Sequence, residues 1–279
     1  MRIDAHQHYW DLSSFDYPWM PPEPTPLRRN FLPADFAPIL ERNHFDGSVV
    51  VQATTDPREA DWLLRLASEN PVVLGVVAWV DLKDPRLGET LDRLQRHPKF
   101  AGVRHPVHDE DDVRWLLHNS VIAGLRELAR RGIPYDLLLR PRHLPLLPEL
   151  VEAVPGLPMV IDHMAKPDIA HGVMEPWARG MECAAQIPHM HVKISGLITE
   201  ADHEHWNAGQ LRPYVQHVWS KFGSGRCLFG SDWPVCLLAG IWKEVLAAAT
   251  QAVGAVPANL RAGFMGENAA RFYGLKLPR

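Results

Sequence analysis

The stretch Arg2-Ile3-Asp4-Ala5-His6-Gln7-His8-Tyr9-Trp10 decides how the chain is read. It reads as a short strand carrying His-x-His. Side chains of a strand alternate between its faces, so His6 and His8 share one face and Gln7 takes the other. Two imidazoles about 7 Å apart along one face (two residues of about 3.3 Å rise each) can hold one metal ion or frame one small substrate. Two ordinary strand histidines in a core would give the same pattern. The meaning of the pair therefore depends on where the other polar groups fall.

Working outward, the strand runs into a proline-dense loop, Asp11 to Pro33, containing Tyr17-Pro18-Trp19-Met20-Pro21-Pro22. Proline fixes φ and removes a donor, so this stretch is neither regular helix nor central strand. A loop of this length is either a lid over a site or a packed surface loop. Helix 34–43 follows, then the apolar, β-branched run Gly47–Gln52, which reads as a buried parallel strand. Asp56-Pro57-Arg58-Glu59 opens the next helix with a capping pattern, Glu59 included. Further strands are expected at 72–81, 101–106, 135–140, 158–163, 191–196 and 226–234, with helical segments between them and a helical tail at 268–273. Eight strands, each followed by a helix at spacings of roughly 25 to 45 residues, point to an α/β fold: a closed (β/α)8 TIM barrel forming one domain, residues 1–279. An open doubly wound sheet would carry a Gly-rich phosphate turn after strand one, and here that turn reads His-Gln-His-Tyr-Trp. No G-x-G-x-x-G, P-loop or G-x-S-x-G elbow is present.

Composition narrows the class. The chain has 279 residues, 46 % hydrophobic and 22 % charged, ordinary values for a globular enzyme-sized domain. A formal net charge of −4 gives no electrostatic reason to expect nucleic acid or an anionic membrane as partner. The cysteines, Cys183, Cys227 and Cys236, form no C-x-x-C pair and imply neither zinc ribbon nor disulfide framework. Without a leader or a long apolar run, a soluble cytoplasmic protein is expected. Nothing in the pattern fixes an oligomeric state.

In a barrel, chemistry sits at the carboxyl ends of the strands. That rule yields His6 and His8, Gln52, Asp81, Arg104 and His105, Arg140, Asp162 and His163, Lys193 and Ser195, and Asp232. Of the adjacent pair Arg104/His105, one member must face the barrel interior and the other the helices. His6, His8, His163 and Asp232 form a nitrogen-and-oxygen set suited to one divalent ion, zinc or manganese. Strand eight closes against strand one, which brings Asp232 beside the His pair, where it is also a natural general base on water. Alone, Asp232 would pass for a turn residue in Gly-Ser-Asp-Trp-Pro.

Five blocks in order, Asp-Ala-His-Gln-His-Tyr-Trp, Gly-Val-Arg-His, Ile-Asp-His-Met-Ala-Lys-Pro, Lys-Ile-Ser-Gly and Phe-Gly-Ser-Asp-Trp-Pro-Val-Cys, resemble the amidohydrolase superfamily, and within it the branch of L-fuconolactonases, L-rhamnonolactonases and pyrone-dicarboxylate lactonases. The resemblance spans nearly the whole chain. It implies a (β/α)8 barrel that hydrolyses a cyclic ester, with His6, His8, His163 and Asp232 at the family's metal-binding and catalytic positions. The bridging group of binuclear members has no counterpart, since strand four offers Arg104 and His105. Strand five likewise ends in Leu139-Arg140-Pro141, without a second-metal histidine. In this branch some members bind one divalent ion and others work without any, and both options fit here. The expected reaction is attack on a small lactone by water that Asp232 deprotonates, with His6, His8, His163, Arg104 or zinc stabilising the oxyanion. Gln52, Lys166 and Ser195 are candidate substrate contacts. Trp19, Trp79 and Trp233 could stack on a sugar or equally pack in the core. The absence of a basic run favours a neutral aldonolactone such as L-fucono-1,5-lactone over a pyrone dicarboxylate. A metal-dependent decarboxylase of the same superfamily and a non-catalytic binding barrel are the alternatives.

Overall fold

The computed structural model describes residues 1–276. Eight parallel strands follow one another round a single sheet in chain order. They are β1 (Ile3–Gln7), β2 (Gly47–Val51), β3 (Val73–Ala78), β4 (Phe100–His105), β5 (Tyr135–Leu137), β6 (Met159–Ile161), β7 (Met190–Ile194) and β8 (Cys227–Phe229). Edge meets edge through Asp232 N–H donating to His6 O at 2.8 Å and His8 N–H donating to Trp233 O at 2.7 Å, so the sheet closes into a barrel. Strand β3 ends before Asp81 and β5 before Arg140, so both residues belong to loops, not to the strand ends read from sequence.

The helices that cover the barrel are α1 (Pro33–Arg42), α2 (Arg58–Glu69), α3 (Leu87–Gln95), α4 (Asn119–Arg131), α5 (Leu147–Ala153), α6 (Trp177–Ala185), α7 (Ala208–Phe222) and α8 (Trp242–Val253). Each presents one apolar stripe inward, as Leu63, Leu64 and Ala67 do on α2 and Val121, Leu125 and Leu128 on α4. Two short helices follow, α9 (Ala258–Ala262) and α10 (Asn268–Tyr273). They close the amino-terminal mouth. Asn268 Nδ2 donates to Cys227 O at 2.7 Å, and Tyr273 reaches up inside the barrel to Asp136. No helix among the described residues is long and apolar enough to cross a membrane.

The loop from Asp11 to Leu32 is packed on its own aromatics. Trp10 and Phe31 exchange backbone hydrogen bonds at 3.0 Å, and Trp10 meets Trp19 and Tyr17 edge-on or tilted at 5.5 and 6.2 Å. The chain thus leaves the barrel mouth and returns to it, which places Trp19 at the rim.

Candidate active site

Strand β1 slips register between Asp4 and Gln7. The rings of His6 and His8 meet on one face: their centroids are 4.9 Å apart and their Nε2 atoms 3.2 Å apart. Asp232 Oδ1 lies 3.3 Å from His8 Nε2, 3.7 Å from His6 Nε2 and 3.8 Å from His163 Nε2. The four residues from strands one, six and eight therefore meet at the carboxyl end of the barrel.

Each is held from behind. His8 Nδ1 lies 2.8 Å from Val51 O, a bond that only Nδ1–H can make, which turns Nε2 toward the site. His163 Nδ1 pairs with Ser195 Oγ at 2.9 Å. Asp4, on the opposite face of β1, ties the closing strands together. It accepts from Ser231 N–H at 2.9 Å and Trp242 Nε1 at 2.8 Å, and burial pushes its pKa up to about 6. Asp232 and the run His163–Lys166 all sit at positive φ, between 50 and 59°. L-residues pay for that conformation, and sharp turns at strand ends are where such strain is found. Two glycines make room. A side chain at Gly196, itself at φ 62°, would come within 2.6 Å of the His163 ring, and one at Gly230 within 2.7 Å of His6 Cβ.

The electrostatics favour an ionised carboxylate at the centre. Burial pushes the Asp232 pKa up, but the attraction of His163 and the hydrogen bond and charge of His8 outweigh it, so the group stays below its ordinary range. Burial drives His163 the other way, well below the usual imidazole value.

Arg104 is the inward member of its pair. Its guanidinium donates to Gln52 O at 2.5 Å and Asp162 Oδ2 at 3.2 Å. His105 faces the helices, stacked on Trp115 at 4.0 Å and bonded to Glu110 at 2.7 Å and to Trp79 Nε1 at 3.0 Å. Trp79 is therefore engaged outside the site. Beneath the histidines lies a layer that sequence reading did not assemble. Lys193, fully buried, contacts Asp136 Oδ2 at 2.5 Å, Asp162 Oδ1 at 2.9 Å and His6 Nδ1 at 3.1 Å. Alternation puts Lys193 on the same strand face as Ser195, and a charged residue in the apolar run Tyr135-Asp136-Leu137 is a further signal that could have found the layer. The third partner, Tyr273, could not be foreseen from local pattern.

Above the four residues opens a cavity of about 640 Å³, a usual size for a small-molecule site. His8, Arg104, His163 and Asp232 line it, and Trp19, Gln52, Thr54, His108, Arg140 and Lys166 contribute to its walls. Trp19 is 39 % exposed, and its Nε1 donates to Ala53 O at 2.6 Å, which fixes the indole over the opening. Lys166 is ion-paired with Glu200. The Arg140 guanidinium, exposed to the cavity, has no hydrogen-bond or ion-pair partner among the described residues. Arg140 stood among the strand-end candidates without a role as a substrate contact, and His108 is a wall residue that the sequence did not single out.

Three expected placements are corrected. Trp233 is 2 % exposed and stacks on Phe36 at 4.5 Å. The left-handed turn at Asp232 sends the next side chain away from the cavity, so Trp233 is a core residue rather than a substrate platform. Ser195 lies behind His163 rather than on the cavity wall. Glu59 does not cap a helix at the surface. It is fully buried and accepts from Ala53 N–H at 3.0 Å, bracing the loop that carries Thr54.

His6, His8 and Asp232 offer ligand atoms within 4.8 Å of one another, and His6, Asp162 and His163 form a second, overlapping set. The first suits a divalent ion with one open position: two imidazoles and a carboxylate, with His8 Nε2 already turned inward.

Known proteins resemble this chain along its whole length. An L-fucono-1,5-lactonase of Burkholderia ambifaria is 38 % identical over 281 residues, covering 99 % of this chain and 97 % of its own. Another of that name, from Burkholderia multivorans, is 34 % identical over 292 residues, covering 100 % of this chain and 97 % of its own. A crystal structure of a Burkholderia multivorans amidohydrolase with bound zinc superposes with a TM-score of 0.93 at 33 % identity, over 99 % of this chain and 100 % of the other. The amidohydrolase family model matches residues 3–275, and with the barrel, its histidines and its strand-eight aspartate in place, the chain belongs to the amidohydrolase family.

Proposed function

We propose that this protein hydrolyses a sugar lactone, L-fucono-1,5-lactone first among them, to the open-chain acid. The observation that carries the reading is Asp232: an ionised carboxylate ringed by three imidazoles at the floor of a cavity that also holds Arg104. Full-length similarity to two L-fucono-1,5-lactonases supplies the substrate class.

In this reading Asp232 takes a proton from water, and the oxygen adds to the lactone carbonyl carbon. The oxyanion meets Arg104 and the histidine cluster, cationic or N–H donors in a site of low polarity. The ring C–O bond then breaks, and the departing alkoxide recovers the proton from Asp232, leaving a hydroxyl and a carboxylic acid, which ionises to the carboxylate and releases the second proton of the water. Arg140 and Lys166 on the wall suit the hydroxyls of the ring and the carboxylate of the product. Trp19 at the rim suits a sugar face. A divalent ion, zinc by analogy with the Burkholderia multivorans structure, would be held by His6, His8 and Asp232 and would supply Lewis-acid polarisation of the carbonyl.

The test is acid release from a panel of aldonolactones and one pyrone dicarboxylate, followed with a pH indicator on metal-stripped and zinc-loaded protein. Turnover of L-fucono-1,5-lactone above the others is expected. No acid from any lactone would overturn the reading.

A further inference from the structure

Gln52 follows the last residue of β2, and its backbone is pinned on both sides. Its N–H donates to Val77 O at 2.8 Å, and its O accepts from Arg104 Nη2 at 2.5 Å. The side chain is 2 % exposed and lines the cavity, yet its amide makes no hydrogen bond to any described residue. A buried amide is destabilising unless something pairs with it. At this position the partner comes from the cavity.

The neighbouring groups indicate what that partner is. Arg104, Arg140 and Lys166 line the same cavity, and their side chains can only donate. Trp19 Nε1 is committed to Ala53 O, and Asp109 lies 3.1 Å from His108 Nε2. Thr54 is half-buried and Thr55 exposed, so both stand further out than Gln52. A carboxylate or a carbonyl, which only accepts, is served by the cations. A hydroxyl donates as well as accepts. The Gln52 amide, with an oxygen and an NH2 group, answers both halves. The place of Gln52 in the wall indicates which hydroxyl. Arg104 is held on the carbonyl of Gln52, and His8 on that of Val51 at 2.8 Å, and both groups meet the reacting carbonyl in the mechanism above. A 1,5-lactone carries its ring oxygen on one side of that carbonyl and the 2-hydroxyl on the other. Of these two, only the hydroxyl can use both atoms of the amide.

We propose that Gln52 is a specificity-determining residue whose amide pairs with the hydroxyl on the carbon next to the lactone carbonyl, so that the enzyme selects 2-hydroxy lactones. The proposal rests on the lactonase reading and narrows its substrate class. A ring without that hydroxyl leaves the amide facing C–H, and a site built around a hydrogen bond rejects such an analogue.

The test compares kcat/KM for L-fucono-1,5-lactone, its 2-deoxy analogue and its 4-deoxy analogue. Each value is divided by that lactone's own hydroxide-catalysed rate, which removes differences in intrinsic reactivity. Wild type should favour the parent over the 2-deoxy lactone about ten- to a hundredfold. Gln52→Met keeps the length of the side chain and removes both polar atoms. It should bring that ratio to within about threefold and leave the parent-to-4-deoxy ratio at its wild-type value, a separation that general damage to the site would not produce. A wild-type 2-deoxy ratio near one overturns the proposal without any variant. So does a 2-deoxy ratio that persists in Gln52→Met, or a 4-deoxy ratio that collapses with it. No turnover of any lactone by wild type would instead overturn the lactonase reading itself.

Discussion

The Ser195 hydroxyl lies 2.9 Å from His163 Nδ1, while the other nitrogen of the same ring points to Asp232 across 3.8 Å. The serine fixes both the rotation of the ring and which nitrogen meets the carboxylate, without lining the cavity itself. Groups that orient a functional histidine in this way typically contribute one to two orders of magnitude. Ser195→Ala should lower kcat about ten- to a hundredfold while KM stays near its wild-type value. A rise in KM alone would mean that Ser195 contacts substrate after all.

Asp232→Asn keeps size and shape but removes the negative charge and the proton acceptor. General-base catalysis is worth about 10²–10⁴ in rate, so kcat should fall by that much with an unaltered circular dichroism spectrum. Turnover close to wild type would dismiss Asp232 as the base.

Arg140 has no side-chain partner among the described residues, so its guanidinium is available to a ligand. Because it is exposed, the bond it makes is screened and worth little more than a surface pair. Arg140→Met should raise KM for the lactone about three- to tenfold, leave kcat within about twofold, and shift stability by no more than about 0.5 kcal/mol. Initial rates across substrate concentration decide this, and an unchanged KM would take Arg140 out of the binding site.

What the sequence disclosed, and what it withheld, has a physical pattern. His6, His8, His163 and Asp232 were legible because barrel topology alone sends strand ends to one mouth, and strand order alone puts β8 beside β1. The direction of Trp233 was not legible, because it follows a residue at φ 58° where strand alternation no longer applies. Lys193 and Asp136 stood in the sequence as isolated charges in apolar strands. Their pairing needs the β5–β7 geometry across the barrel, and the contact of Tyr273 with Asp136 joins positions 137 residues apart.

Glu59 provides the pH dependence. It is fully buried behind Ala53 and Thr54, and burial pushes its pKa up to about 8, against the backbone N–H donors of Ala53 and Thr54 that favour the charged form. An unfolded glutamate titrates near 4.5. Between these two values the folded chain holds a proton that the unfolded chain has lost, so stability falls as pH rises across that window and levels off above it. Other buried carboxyls raised in the same direction, Asp4 among them, add slopes of the same sign, so the wild-type profile alone does not isolate Glu59. Glu59→Gln removes only its own titration. Urea unfolding of both proteins at pH 5, 6, 7 and 8 should give a wild-type-minus-variant stability that declines steadily with pH. Parallel profiles would mean that Glu59 is already ionised in the folded state, stabilised by its two backbone donors and by Arg104 more strongly than its burial opposes.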